Sequence, residues 1–214
     1  MLIKEMIENK TDIIPEPALR RMPWYLSYVT MLRERNVEFV SSTQIARELK
    51  VDSSQIAKDL SFLDIKGKTR IGYEVSLLER KLKEFLGFSR RHKAVIVGVG
   101  SLGSALMQDS GLMRYGLEIV AGFDVDTKLT GTMVHGLPVY HIGELEERLA
   151  ALGAGIGILT VPVEHAQEMT DRLIEAGCNA IWNFTPFRIC APHNVVISNT
   201  SKYAHLAVRY NRMA

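Results

Sequence analysis

Six consecutive residues carry the strongest chemical signal in the chain: Gly98-Val99-Gly100-Ser101-Leu102-Gly103. This G-x-G-x-x-G spacing follows the β-branched run Ala94-Val95-Ile96-Val97 and opens a helical stretch, the context in which it can seat a pyrophosphate. Gly98 permits a tight turn, Gly100 lets the backbone approach an anion, and Gly103 lets helix and strand pack closely. The helix N-terminus then presents unpaired N–H groups and the positive end of its dipole. Asp124 ends the next strand run, 21 residues past Gly103. Its carboxylate can accept hydrogen bonds from an adenosine ribose, and its charge repels a 2′-phosphate, which favours NAD over NADP. A glycine turn that merely packs an α/β protein is the plainer alternative.

Two further loops end strand-like runs: Thr160-Val161-Pro162 and Asn183-Phe184-Thr185-Pro186. Ligands in open α/β sheets bind at the carboxyl ends of strands. Thr160, Val161, Pro162, Asn183, Thr185 and Pro186 are therefore expected to line the nicotinamide half of the pocket, unless they are ordinary loop prolines and caps. An oxidoreductase would also need a proton donor or acceptor beside the nicotinamide. His165 is the one obvious candidate, and it reads more simply as an exposed helix residue. His135, His141, His193 and His205 lack metal-ligand spacing, so no metal site is expected.

The third constellation is basic and N-terminal. Ser42 to Lys50 and Ser54 to Leu63 read as two short helices with a turn between them, the second with Ile56, Leu60 and Leu63 on one face. As a helix-turn-helix, the first would cross a phosphate backbone. The second would lie in a major groove, presenting Ser53, Ser54, Gln55 and Lys58 near its start. Gln can pair bidentately with adenine, and Lys can contact guanine or phosphate. Lys66-Gly67-Lys68-Thr69-Arg70-Ile71-Gly72-Tyr73 reads as a tight hairpin whose Lys68 and Arg70 would reach phosphates as a wing. Such a module can equally bind protein.

The elements that must position these residues alternate in type. Pro15 and Pro17 open a helix of about 20 residues that ends near Arg35-Asn36, with a kink or late start expected at Pro23. A serine at 41–42 caps the next helix, and residues 76–86 are helical again, with Leu77, Leu78, Leu82 and Phe85 as the apolar stripe. Residues 89–93 form a basic linker. Strands are then expected at 94–97, 119–123, 156–160, 180–183 and 195–197, and helices at 103–113, 143–151 and 163–176. This alternation implies a doubly wound parallel sheet. A last amphipathic helix, with Tyr203, Leu206, Ala207 and Tyr210 at helical spacing, has no following strand to cover it.

Composition excludes several classes. The chain of 214 residues is 47% hydrophobic and 23% charged, enough for a real core. No apolar run suits a membrane span or a secretory signal, so a cytoplasmic protein is expected. Cys178 and Cys190 are not in a paired motif and read as thiols, with a redox disulfide as the alternative. Through Arg90 there are 16 Lys/Arg against 13 Asp/Glu, and afterwards 10 against 11, which permits nucleic-acid binding without demanding it.

The ordered set of motifs closely resembles the Rex family of redox-sensing transcriptional repressors. It comprises Ile14-Pro15-Glu16, Val51-Asp52-Ser53-Ser54, Lys58-Asp59-Leu60-Ser61-Phe62, the glycine loop, Phe123-Asp124-Val125-Asp126, Leu159-Thr160-Val161-Pro162 and Asn183-Phe184-Thr185-Pro186. The resemblance implies a winged-helix domain (residues 1–88), a Rossmann NAD(H)-binding domain (89–198) and a C-terminal helix (199–214) that swaps into a partner subunit. It implies a homodimer, no catalysis, operator DNA as partner, and release of DNA when NADH binds. The orphan helix would pack between the partner's two domains. Relatives often carry an arginine where Ser27 stands, an aspartate at Ser201 and an aromatic residue at Asp109, and their wing commonly reads Lys-Arg-Gly where this chain has Lys68-Thr69-Arg70. Those departures bear on the redox switch and on the wing's contacts. The alternatives are an NAD-dependent oxidoreductase with an appended interaction domain, and a dinucleotide sensor that binds protein.

Overall fold

The computed structural model describes residues 14–200 and, beyond them, Leu206, Tyr210, Asn211 and Met213. The chain divides into two compact units, one ending at Ser89 and the other beginning at Arg90.

In the first unit α1 spans Glu16–Glu34, with Pro15 at its N-cap and Pro17 in its first turn. The helix runs through Pro23 rather than starting after it. Met22, Tyr25, Leu26, Val29 and Leu32 fall on one face at helical spacing and are buried. β1 (Phe39–Val40) leads into α2 (Ser42–Leu49). Ser41 caps α2: its hydroxyl accepts from Gln44 N at 3.1 Å while Gln44 Oε1 accepts from Ser41 N at 2.7 Å. Asp52 caps α3 (Ser53–Leu60), accepting from the backbone N–H of Ser54 and Gln55. The expected helix to Leu63 tightens after Leu60 into a 3-10 turn, Ser61–Leu63. Ile56, Leu60 and Leu63 are all buried, so the expected face holds.

The hairpin closes as a five-residue turn, with Lys68 N and Gly72 O 2.8 Å apart and Arg70 at φ 65° on its tip. Its descending arm, β2 (Tyr73–Glu74), pairs antiparallel with β1. Gly72 is obligatory there: at φ 108° a Cβ would lie 2.4 Å from Val40 O. α4 (Val75–Phe85) completes the unit, burying Val75, Leu78 and Leu82 against α1 and α3 residues.

Two buried carboxylates tie these helices together. Glu79 of α4 accepts from Thr30 and Lys83 and pairs with Arg33. Asp59 of α3, 1% exposed, accepts two hydrogen bonds from Arg21 at 2.8 Å each, one from Tyr25 Oη at 2.7 Å and one from Gln55 Nε2 at 2.8 Å. Burial pushes the Asp59 carboxyl up, but these donors outweigh it and hold its pKa below the usual carboxylate range. Burial and the same carboxylate push the Tyr25 phenol up to about 12.

The second unit is a seven-stranded sheet in the order β5-β6-β4-β3-β7-β8-β9. The strands are β3 (His92–Val97), β4 (Leu117–Asp124), β5 (Met133–Val134), β6 (Leu137–His141), β7 (Ile156–Leu159), β8 (Ala180–Asn183) and β9 (Val196–Asn199). All neighbouring pairs are parallel except β5 with β6. Setting β5 aside, the order is that of a Rossmann sheet, with the switch point beside β3. β3 is covered on both faces. Ala94 and Ile96 pack with Val99, Met107 and Ile158, while Val95 and Val97 pack with Leu145, Leu149, Ala166 and Leu173. The helices are α5 (Ser101–Gln108), α6 (Ser110–Arg114), α7 (Leu145–Leu152) and α8 (Ala166–Glu175).

Two expectations are corrected. The helix expected over 103–113 breaks at Asp109, which ends α5 and caps α6 by accepting from Gly111 N at 2.7 Å. β5 and β6 were not anticipated, because Gly136 and Pro138 punctuate their sequence as a loop. Cys178 is buried, which pushes its thiol up to about 11, and Cys190 is exposed; both are free.

Replacing Asp59 by asparagine leaves Arg21 without its ionic partner in a largely buried site. Asp59→Asn is expected to destabilise the protein by about 3 kcal/mol at neutral pH, read by urea denaturation. The folded pKa of Asp59 lies below the 3.8 of a free carboxyl. Its contribution is therefore complete above that value and is lost as the pH falls through the lower folded one. The gap between wild type and variant should close below about pH 4; a gap that stayed constant would contradict this account.

Candidate functional site

The glycine loop sits at the carboxyl end of β3. Gly98 takes φ 96°, and a Cβ on it would lie 2.9 Å from the Thr160 carbonyl group. At Gly103 a Cβ would fall 2.0 Å from Gly98 O, so α5 can rest on the turn only because no side chain intervenes. At Gly100 a Cβ would meet nothing within 4 Å, although the backbone there, φ −70°, suits any L-residue. The space in front of Gly100 is thus open to a ligand. No side chain caps α5, so its first N–H groups face that space without a side-chain acceptor.

Neighbouring side chains brace the loop. Thr160 Oγ1 donates to Gly98 O at 2.6 Å. Asp124 Oδ2 accepts from Val99 N at 2.6 Å, and its Oδ1 accepts from Asp126 N at 2.9 Å. The Val99 side chain is buried in the core, so only its backbone belongs to the loop's outer surface. Ser101 is exposed and Leu102 half-buried at the start of α5.

A cleft of about 630 Å³ opens beside this loop. Gly98, Gly100, Asp124, Thr160, Val161 and Pro162 line it, as do Phe123, Val125, Ile142 and the α8 side of the chain at His165, Glu168, Met169 and Arg172. Arg172 holds the far wall, donating to Ile142 O at 2.8 Å and pairing with Glu146 at 2.7 Å. The α8 contributors were not found by motif reading. Their 3- and 4-residue spacing from His165 to Arg172, one face of a helix following a strand, was the available signal. His165 is exposed on the cleft's rim, 3.9 Å from Glu168.

The geometry redistributes the expected ligand contacts. Thr160, Val161 and Pro162 line the same cleft as Asp124 and Val125. Asn183, Thr185 and Pro186 do not line this cleft. Asn183 is buried with its amide fully engaged: it donates to Phe187 O and Asn199 Oδ1 and accepts from the N–H and hydroxyl of Thr185. Thr185 is buried in the same knot, and Pro186 is exposed. This loop is held by its own polar groups.

In the first unit Ser53, Ser54, Lys58, Lys68 and Arg70 are exposed, and Ser42 is half-buried in the first turn of α2. The Ser54 hydroxyl donates to the capping Asp52. Lys68 Nζ lies 4.7 Å from the Phe39 ring centroid. Gln55 Nε2 donates one of its two N–H groups to Asp59, one helical turn on. Leu206 and Tyr210 are exposed helical positions, whereas Tyr203, Ala207 and Ser201 lie outside the described residues. Ser27 is exposed on α1. Among the described residues no group of His, Cys, Asp or Glu is arranged to hold a metal, and no helix is long and apolar enough to cross a membrane.

Comparison with known proteins places both units. Residues 89–187 match the model of a CoA binding domain, and residues 13–61 match that of a putative DNA-binding protein N-terminus. The redox-sensing transcriptional repressor Rex of Bacteroides fragilis is 52% identical over 214 residues, covering 100% of this chain and 97% of that protein. The Rex of Treponema denticola is 40% identical over 94% of this chain and 98% of its own. A solved repressor, RSP in complex with β-NAD+ and operator DNA, superposes with a TM-score of 0.90 at 30% identity, covering 94% of this chain and 93% of its own. RSP with β-NADH gives 0.84 at the same identity, covering 94% of each chain. These relatives are regulators and not enzymes, which removes the oxidoreductase alternative. The chain belongs to the Rex family of redox-sensing transcriptional repressors.

Proposed function

We propose that this protein is a transcriptional repressor that binds operator DNA while NADH is scarce and releases it when NADH binds. The observation that carries this reading is the match to RSP, solved on operator DNA with NAD+, over 94% of the chain. Its own residues supply the parts. The pyrophosphate of NAD(H) would rest on the α5 N–H groups, in the space that Gly100 leaves open. Asp124 would take the adenosine ribose: each carboxylate oxygen has a second lone pair beyond the one occupied by Val99 or Asp126. Thr160, Val161 and Pro162 would wall the same cleft.

The nicotinamide ring supplies the signal, because reduction removes its charge and changes its shape. Two copies, joined through residues 199–214, would present two α3 helices to a pseudo-palindromic operator. Exposed Leu206 and Tyr210 suit a helix that finds its cover on another chain. Ser53, Ser54 and Lys58 would face the groove and Lys68 and Arg70 the phosphates. Coupling is reciprocal: whatever factor NADH takes from operator affinity, operator takes from NADH affinity. Work on DNA and free nucleotide makes the cytoplasm its location.

Titrating a bound operator duplex with NADH by fluorescence anisotropy should release it, and NAD+ should not. Gly100→Leu fills the ligand space without backbone strain, so this variant should bind operator normally and shift the NADH response by tenfold or more (order of magnitude, about 1.4 kcal/mol). Operator affinity indifferent to saturating NADH in the wild type would sink the proposal. Lys58→Ala and Lys68→Ala should each reduce the slope of log K against log salt by about 1. Unchanged slopes in both would favour a module that binds protein.

A further inference from the structure

Much of the cleft beside the glycine loop is apolar, walled by Val125, Ile142, Val161, Pro162 and Met169. Arg172 is the one lysine or arginine among the described residues that line it. Two neighbours hold its guanidinium. Nε donates to Glu146 Oε1 at 2.7 Å and Nη2 to Glu146 Oε2 at 3.0 Å, while Nη2 also donates to Ile142 O at 2.8 Å. A guanidinium carries five N–H groups, so both hydrogens of Nη1 are left over. No described residue accepts from Nη1, and no described side-chain nitrogen is buried without a partner, so Nη1 is open to solvent.

The sheet sets its place relative to the ribose site. His141, at the end of β6, is the register partner of Asp124, at the end of β4, and Ile142 comes next in the chain. The carbonyl that holds Arg172 therefore lies one strand across and one residue beyond the carboxylate that would take the ribose hydroxyls. A ribose carries its base and its 5′ carbon on opposite sides of the ring oxygen. With the 5′ side led to the pyrophosphate at Gly100, the base leaves on the side away from the glycine loop, where Arg172 forms the wall.

Charge narrows the ligand further. Glu146 balances Arg172, whose hydrogen bonds hold the Glu146 carboxyl below its usual range. A guanidinium paired in this way attracts a second anion weakly but keeps its remaining donors, so a neutral acceptor suits it better than a phosphate. Adenine is such a group: planar, uncharged, and carrying acceptors at ring nitrogens N1, N3 and N7. An acceptor moved from water into an apolar cleft without a donor costs affinity, and one donor on the wall removes that cost.

We propose that Arg172 is a base-specificity residue of the dinucleotide site, its Nη1 donating to one ring nitrogen of adenine. This rests on the NAD(H) reading above and names the group that recognises its base.

The test uses the full chain and NADH analogues in which adenine N1, N3 or N7 is replaced by C–H, with affinity measured by isothermal titration calorimetry. The wild type should bind one analogue about tenfold more weakly than NADH and the other two within about twofold of it. Arg172→Met keeps the reach of the side chain but has no donor. It should bind NADH about tenfold more weakly and no longer distinguish NADH from the sensitive analogue. Arg172→Leu, a strong helix former, is the second variant and should behave alike. Damage to the α8 wall alone would lower affinity for every analogue and leave their ratios intact, so the ratio separates a direct contact from a structural role. Three analogues that all bind the wild type as NADH does would overturn the proposal and leave the NAD(H) reading standing. A ratio that persists in both variants would overturn it as well. A wild type that binds no NADH would overturn the NAD(H) reading together with this one.

Discussion

The second unit depends on how closely α5 approaches the turn that precedes it. With a Cβ at Gly103 the contact to Gly98 O would be 2.0 Å, so helix and turn can meet only with hydrogen there. That approach aims the first N–H groups of α5 out past Gly100 and sets the loop's register. Thr160 then fastens the Gly98 carbonyl from β7, and Asp124 fastens the Val99 amide from β4. Three parallel strands thus converge on one loop, and each contributes from its carboxyl end. The side chains nearest the anion site act chiefly on the protein's own backbone. A binding surface made of backbone N–H groups costs little reorganisation when a ligand arrives, because its dipoles are already aligned.

The first unit is organised by charge buried among apolar residues. Asp59 belongs to α3, and the groups that hold it, Arg21 and Tyr25, belong to α1. Such a pair contributes modestly to stability relative to an apolar packing, but it defines position, because each donor has a direction. Rotating α3 about its axis would move the carboxylate off a bidentate arginine. The interior that fixes the helix therefore also holds one N–H of Gln55. Glu79 plays a similar part between α4 and α1 through Thr30, Lys83 and Arg33. A helical unit built this way has its internal geometry set by its own buried groups.

Membership of the Rex family accounts for the presence of both units in one chain, and the departures at Asp109 and Ser27 can be placed against it. Asp109 divides a helix in two and caps the second part, a backbone role that an aromatic side chain could not fill. Ser27 stands exposed on α1, and nothing in the structure explains its replacement of a longer cation.

Much of the architecture was legible in the residues themselves. The glycine spacing, Asp124 and the alternation of strand and helix are local patterns, and the physics that makes them is local: backbone clearance, dipoles, and two-residue or 3.6-residue periodicity. The capped helices around Ser41 and Asp52 and the glycine-closed turn at Lys68 are legible for the same reason. What escaped was decided at a distance. The strand after Gly136 exists because β4 offers it a partner, which overrides the proline within it. The partners of Asn183 and Thr185 were equally hidden: folding gives them each other and Phe187. Gln55 carries the right atoms to embrace an adenine, and only the arrival of Arg21 and Tyr25 around Asp59, 38 and 34 residues away, fixes the carboxylate to which its amide nitrogen turns. Sequence determines which groups are available; the competition among buried donors and acceptors, which runs across the whole fold, determines which of them remain free.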